Sequence, residues 1–202
     1  IDHLLSNNQI DAARSKLLDL DYLSKMFELD KQSLDILQYW LKIGDDNQGK
    51  DYINSVNKYL ERDLKKEHLE ILFNFLDFCV VSGWYRTGLA VGQNVTKAHV
   101  KLLGPEAPET LTTKNNLALL LKDKGEIDAA EALYREVLEV RERVLGPEHP
   151  GTLTTKSNLA VLLKDKGEID TAEALYREVL EVRERLDPEN PGTLKDKQNF
   201  AV

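Results

Sequence analysis

Residues 104–144 read GPEAPETLTTKNNLALLLKDKGEIDAAEALYREVLEVRERV, and residues 146–186 read GPEHPGTLTTKSNLAVLLKDKGEIDTAEALYREVLEVRERL. The two strings lie 42 residues apart. Six of their 41 aligned positions differ: Ala107/His149, Glu109/Gly151, Asn115/Ser157, Leu119/Val161, Ala129/Thr171 and Val144/Leu186. A third copy opens at Asp187-Pro188-Glu189-Asn190-Pro191, one residue early, and runs to Val202. Self-similarity at a period of this size is the signature of a repeat architecture.

The prolines punctuate it. All six, at 105, 108, 147, 150, 188 and 191, lie in the loops between copies. Proline cannot continue a helix but suits its first turn, so each loop ends one helix and begins the next. The first helix of a unit is expected over Pro108 to Lys124, with Leu111, Leu117, Ala118 and Leu121 on one face. Gly125 ends it. The second is expected over Ile127 to Leu145, turning Ile127, Ala130, Tyr134, Val137, Leu138 and Leu145 inward. Ala130 and Ala172 are small where two helix backbones must approach. One hairpin cannot bury its own apolar stripe and must stack on its neighbours. The expected fold is all-α, an α-solenoid of antiparallel helix hairpins.

Asn116-Leu117-Ala118, Gly125, Ala130, Leu133-Tyr134 and the loop Leu145-Gly146-Pro147-Glu148-His149-Pro150 carry a family likeness. The sequence resembles the tetratricopeptide repeat, in the 42-residue form of kinesin light chains and nephrocystin-3-like proteins. That resemblance implies a right-handed solenoid, no catalysis, no cofactor, and a protein or peptide partner.

Upstream the pattern fades. A step of 42 back from Gly125 lands on Gly83, and Asn116 maps to Asn74, Leu117 to Phe75, Tyr134 to Gly92 and Val137 to Val95. The organisation expected is a helical cap or diverged hairpins over 1–61 and a diverged repeat over 62–103. Repeats follow at 104–145 and 146–186, and a first or capping helix at 187–202. Within the first 61 residues, amphipathic helices are expected over about Lys31 to Ile43 and Lys50 to Leu60. Lys16-Leu17-Leu18-Asp19-Leu20-Asp21-Tyr22-Leu23 resembles helical segments that follow the nucleotide-binding core of multidomain signal-transduction ATPases.

Composition removes several function classes. The 202 residues are 42% hydrophobic, too apolar for a disordered chain. A net charge of −8 leaves no basic nucleic-acid footprint. No apolar run nears the roughly 20 residues that span a bilayer, so membrane insertion is not expected. The single cysteine, Cys79, sits where Leu121 falls in the next copy, so a buried thiol in a reducing, cytoplasmic compartment is expected. The chain opens at Ile1 and its one methionine is Met26, which reads as a piece of a longer protein.

Motifs for chemistry fail on inspection. Gly44-Asp45-Asp46-Asn47-Gln48-Gly49-Lys50 matches GxxxxGK, but Asp51 stands where a phosphate loop needs Ser or Thr. Read as a calcium loop, the same stretch lacks acids at its first and twelfth positions. His3, His68, His99 and His149 lack metal-ligand spacing and are expected at the surface. Asn94-Val95-Thr96 is a glycosylation sequon inside an expected helix. No nucleophile stands beside a base, so neither a catalytic residue nor a metal site is expected.

A binding face is expected instead. Steps of 100° place Thr112, Asn115, Asn116, Leu119 and Asp123 together, away from the apolar stripe. The next copy repeats them as Thr154, Ser157, Asn158, Val161 and Asp165. In stacked hairpins first helices line the inner wall. A carboxamide both donates and accepts, so Asn116 and Asn158 suit a peptide backbone. The resemblance adds Arg141 and Arg183, which would favour an acidic group on the ligand. The leading expectation is a peptide-binding interaction module. A regulatory region of a larger ATPase, and a scaffold that self-associates through its C-terminal end at Phe200 and Val202, are the alternatives.

Overall fold

A computed structural model describes residues 2–7, 9–22, 48–186, 188–189 and 191–200. The expected helix at 31–43 lies outside the described residues, as do Leu23, Val202 and 44–47 of the GxxxxGK stretch. Every regular element among the described residues is helical. In order these are α1 (Asp2–Ser6), α2 (Ile10–Leu17), α3 (Gln48–Leu60), α4 (Lys66–Val81), α5 (Tyr85–Leu103), α6 (Pro108–Lys124), α7 (Ile127–Leu145), α8 (Pro150–Lys166), α9 (Ile169–Leu186) and α10 (Pro191–Phe200). The fold is all-α, of the helix-hairpin solenoid class. It comprises two compact units, residues 1–120 and 121–202. No described helix is long and apolar enough to cross a membrane.

The loops explain the helix bounds. Pro108, Pro150 and Pro191 each open a helix, where the missing N–H costs no hydrogen bond. Thr110 Oγ1 donates to the Gly104 carbonyl at 2.9 Å, and Thr152 Oγ1 to that of Gly146 at 2.8 Å. The Thr two residues into each helix thus ties back the loop that precedes it. His149, which replaces Ala107, caps α8 by accepting from the Gly151 amide at 3.0 Å. The tighter turn inside a repeat is made by Gly125 and Gly167, both at φ 89, a left-handed conformation that side chains resist. Gly83 takes the same role between α4 and α5, at φ 74.

In the second unit α8 packs against both α7 and α9, and α9 against α10. Ala130, Tyr134, Val137, Leu159, Ala160, Leu163, Ala172, Tyr176 and Val179 are buried there. The first unit uses other means. α5 packs on α3 and α4. Its core holds an aromatic group: Tyr52 lies 5.1 Å from Phe75 and 5.5 Å from Trp84, and Phe78 lies 5.2 Å from Trp84, centroid to centroid. Cys79 is buried, and burial pushes its thiol well above the ordinary range. Gly92, at the Tyr134 position, has Leu117 and Leu76 in the space beside it.

Candidate functional site

Each unit presents a helix face opposite its apolar stripe. In the first unit α4 sets Glu70, Asn74 and Asp77 at i, i+4 and i+7, opposite buried Leu72, Phe75, Leu76 and Cys79. α6 adds Thr112, Asn115, Asn116 and Leu119. Asn116 Nδ2 donates to Asp77 Oδ1 at 3.3 Å, joining the two helices. Burial holds the Asp77 carboxyl above its usual range, partly offset by that hydrogen bond. Thr112 and Leu119 are half-buried, whereas Asn115 and Asn116 retain only 6% and 9% of their surface. The asparagines therefore present an edge, not a whole side chain. Thr112 Oγ1 is committed to the Pro108 carbonyl at 2.9 Å.

In the second unit α8 exposes Thr154 and half-exposes Asn158 and Val161, while Ser157 is buried and donates to the Leu153 carbonyl at 3.0 Å. Arg183 of α9 reaches Thr154 Oγ1 at 3.4 Å. These two residues, with Pro150, Leu153 and Leu186, line a cavity of about 280 Å³.

The arginines do something the sequence did not reveal. Arg141 is 4% exposed and donates to the Gly151 carbonyl at 2.7 Å and to Thr155 Oγ1 at 2.8 Å, pinning α7 to α8. Arg183 donates to buried Asp196 at 2.6 Å, pinning α9 to α10. Asp196 is the Thr155 position of the third copy once its one-residue-early start is counted. Lysines repeat the scheme beside them: Lys156 pairs with Glu142 at 2.8 Å and with Glu178, and Lys197 with Glu184 at 3.0 Å. Arginine and lysine at these positions are joints between successive helices.

The same position in the first unit is His99, which corrects the expectation that all four histidines lie at the surface. It is 1% exposed, and its Nδ1 lies 3.0 Å from the Val95 carbonyl. Burial holds its pKa below the ordinary imidazole value, with Val95 and Glu109 pulling the other way. A depressed folded-state pKa contributes stability above the unfolded pKa, near 6.5, that is lost as pH falls through the folded value. The urea midpoint of the first unit should therefore drop between pH 7.5 and pH 5.5. It should drop less in His99→Gln. Tryptophan fluorescence reports this unit, because Trp40 and Trp84 both precede residue 121. Equal pH slopes in the two proteins would refute the assignment.

No group of three or more metal-ligating side chains occurs among the described residues.

Short Gly-Pro loops, left-handed glycines inside each hairpin and helices pinned one to the next define a helical-repeat protein. Residues 109–185, the two well-preserved copies, match the family model of the tetratricopeptide repeat. The fold is shared with three solved structures. One holds nearly identical TPR-like repeats from a Podosopora anserina protein assigned to kinesin light chain. It is 22% identical with TM-score 0.60, over 66% of this chain and 64% of that one. BtubC (BKLC) from P. vanneervenii is 19% identical with TM-score 0.60, over 96% and 81%. A variant of the Podosopora anserina repeats is 16% identical with TM-score 0.57, over 93% of each. This chain spans less than two thirds of the first of these structures. No curated protein matches it. Tetratricopeptide repeats are in general protein–protein interaction modules and a non-catalytic scaffold.

Proposed function

We propose that this chain is a non-catalytic interaction module in which the α6 face of the first unit and the α8 face of the second are each a peptide-binding face. The observation that supports this reading is the recurrence of one asparagine, Asn116 and then Asn158, on the side of each first helix away from the buried stripe. Beside it stand Thr112, Asn115 and Leu119 in one copy, and Thr154, Ser157 and Val161 in the next. An edge-on carboxamide can bond a peptide backbone without asking for a particular side chain, which suits an extended partner. Arg141 and Arg183 support the site indirectly, by fixing the helices that carry it. Such a module would work in a reducing, cytoplasmic setting, where the buried Cys79 stays a thiol.

The test is selection of 12-residue peptides from a displayed library on the full chain, followed by titration of the best binders. Losing its amide contact should weaken binding at each face about threefold, in Asn116→Ala for the α6 face and in Asn158→Ala for the α8 face, at roughly 0.7 kcal/mol each. The helical circular dichroism should be retained. Unchanged affinity in either folded variant would remove that face as a site.

A further inference from the structure

We infer that the outward face of α10, built on Leu194 and Lys197, docks an acidic amphipathic helix of a partner protein. The preceding copy shows what such a face takes. With the one-residue-early start counted, Leu194, Lys197 and Gln198 stand where Leu153, Lys156 and Ser157 do. α8 carries those three and packs against both α7 and α9. All three are buried. Leu153 shares a cavity wall with Arg183 and Leu186 of α9. Lys156 holds two carboxylates, Glu142 of α7 and Glu178 of α9.

On α10 only half of that environment is present. Its inward positions, Thr193 and Asp196, are buried like their counterparts Thr152 and Thr155. There α9 acts toward α10 as α7 acts toward α8, through Arg183–Asp196 at 2.6 Å and Glu184–Lys197 at 3.0 Å. The outward positions differ. Leu194 is 45% exposed against 2% for Leu153, and Lys197 is 43% exposed against 3% for Lys156. Gln198 is exposed where Ser157 is buried. Among the described residues Lys197 pairs with Glu184 alone. The uncovered positions are therefore those that meet the following helix one copy earlier. They lack an apolar cover and a second carboxylate, and α9 shows one helix supplying both.

Charge selects the kind of occupant. The exposed charges of α10 are Lys195 and Lys197, because Asp196 is buried against Arg183. Two α10 faces brought together would set lysine against lysine, which disfavours a second copy docked through the same face. A helix with an apolar stripe and a glutamate beside it meets both needs. In α9 that stripe is Ala172, Tyr176 and Val179, at i, i+4 and i+7, with Glu178 alongside.

The probe is the sequence of α9 itself, residues 168–186 as a capped, fluorescein-labelled peptide titrated into the full chain. Glu173 and Arg177 pair at i, i+4 on this helix and favour it in isolation. Fluorescence anisotropy gives affinity and amide chemical shifts give location. The probe should shift the amides of Leu194, Lys197 and Gln198. Leu194→Ser should weaken it about tenfold, as loss of a half-buried leucine contact allows. Lys197→Glu should weaken it about threefold, and Glu178→Lys in the probe should recover that loss. Both variants should keep their helical circular dichroism. Asn158→Ala, on the α8 peptide face, should leave affinity within about twofold, so failure here and failure of the peptide faces are read separately. Unmoved α10 amides, or unchanged affinity in Leu194→Ser, would overturn the inference. So would a charge swap that recovers nothing, since the face would then not select an acidic helix. A dimer of the chain seen by light scattering and broken by Leu194→Ser would also overturn it, because a second copy would then be the occupant.

Discussion

Phe75→Ala is expected to destabilise the first unit by about 3–5 kcal/mol, the usual cost of removing a fully buried phenylalanine. Phe75 is 1% exposed and stands between Tyr52, 5.1 Å away, and Phe78, 6.4 Å away, by ring centroids. Tyr52 comes from α3 and both phenylalanines from α4, while Trp84 precedes α5 and touches Tyr52 and Phe78. Truncation thus opens a cavity where three helices converge, and the rigid rings around it cannot collapse to fill it. It also removes two tilted ring contacts, each worth about 0.5–1.5 kcal/mol beyond its area. Urea titration followed by tryptophan fluorescence should show the first-unit transition moved to much lower denaturant. The same truncation at Leu117, the matching position one period on, removes an aliphatic group and no ring contacts, so its cost should be smaller. If Phe75→Ala shifts the midpoint no more than a surface substitution, the aromatic group is not what holds this unit.

The contrast between these two positions shows where the sequence was legible. Over 104–186 the text repeats, and each punctuation mark has one physical meaning. Proline opens a helix, the left-handed glycine closes a hairpin, and the small alanine lets backbones meet. Pro108 to Lys124 and Ile127 to Leu145 are the observed helices. The candidate face was legible in the same way, because a 100° step places Thr112, Asn116 and Leu119 together whatever surrounds them. What a side chain meets beyond its own helix was not legible. Arg141 and Arg183 sit at helix ends where either solvent or the next helix could take them, and only packing shows the Gly151 carbonyl, Thr155 and Asp196 waiting there. The one-residue-early start of the third copy was the available signal, since it brings Asp196 into line with Thr155. Asp77 was missed for the opposite reason. A lone charge on an open face follows no period, and its neighbour Asn74 had already absorbed the register.

Gly88 carries the second large effect, and it opposes the logic of consensus repair. It occupies the position of Ala130 and Ala172, so restoring alanine looks like a gain of roughly 1 kcal/mol in helix propensity. The packing says otherwise. A Cβ at Gly88 would lie 2.9 Å from Cys79 Cβ and 2.9 Å from Leu120 Cδ1. Leu120 can swing its terminal methyl, but Cys79 Cβ is fixed to the backbone of α4, so the two helices must separate. Overpacking of this kind costs about 1–3 kcal/mol, and more as atoms are added. Gly88→Ala should therefore come out destabilised by about 1 kcal/mol despite its better propensity, and Gly88→Leu by at least about 3 kcal/mol. Cys79→Ala keeps Cβ and should not rescue either variant, whereas Cys79→Gly should recover part of the loss in Gly88→Ala. Urea titrations of these single and double variants, read by tryptophan fluorescence, give the coupling directly. A Gly88→Ala protein more stable than the parent would mean that α4 and α5 stand farther apart than the 2.9 Å approach implies.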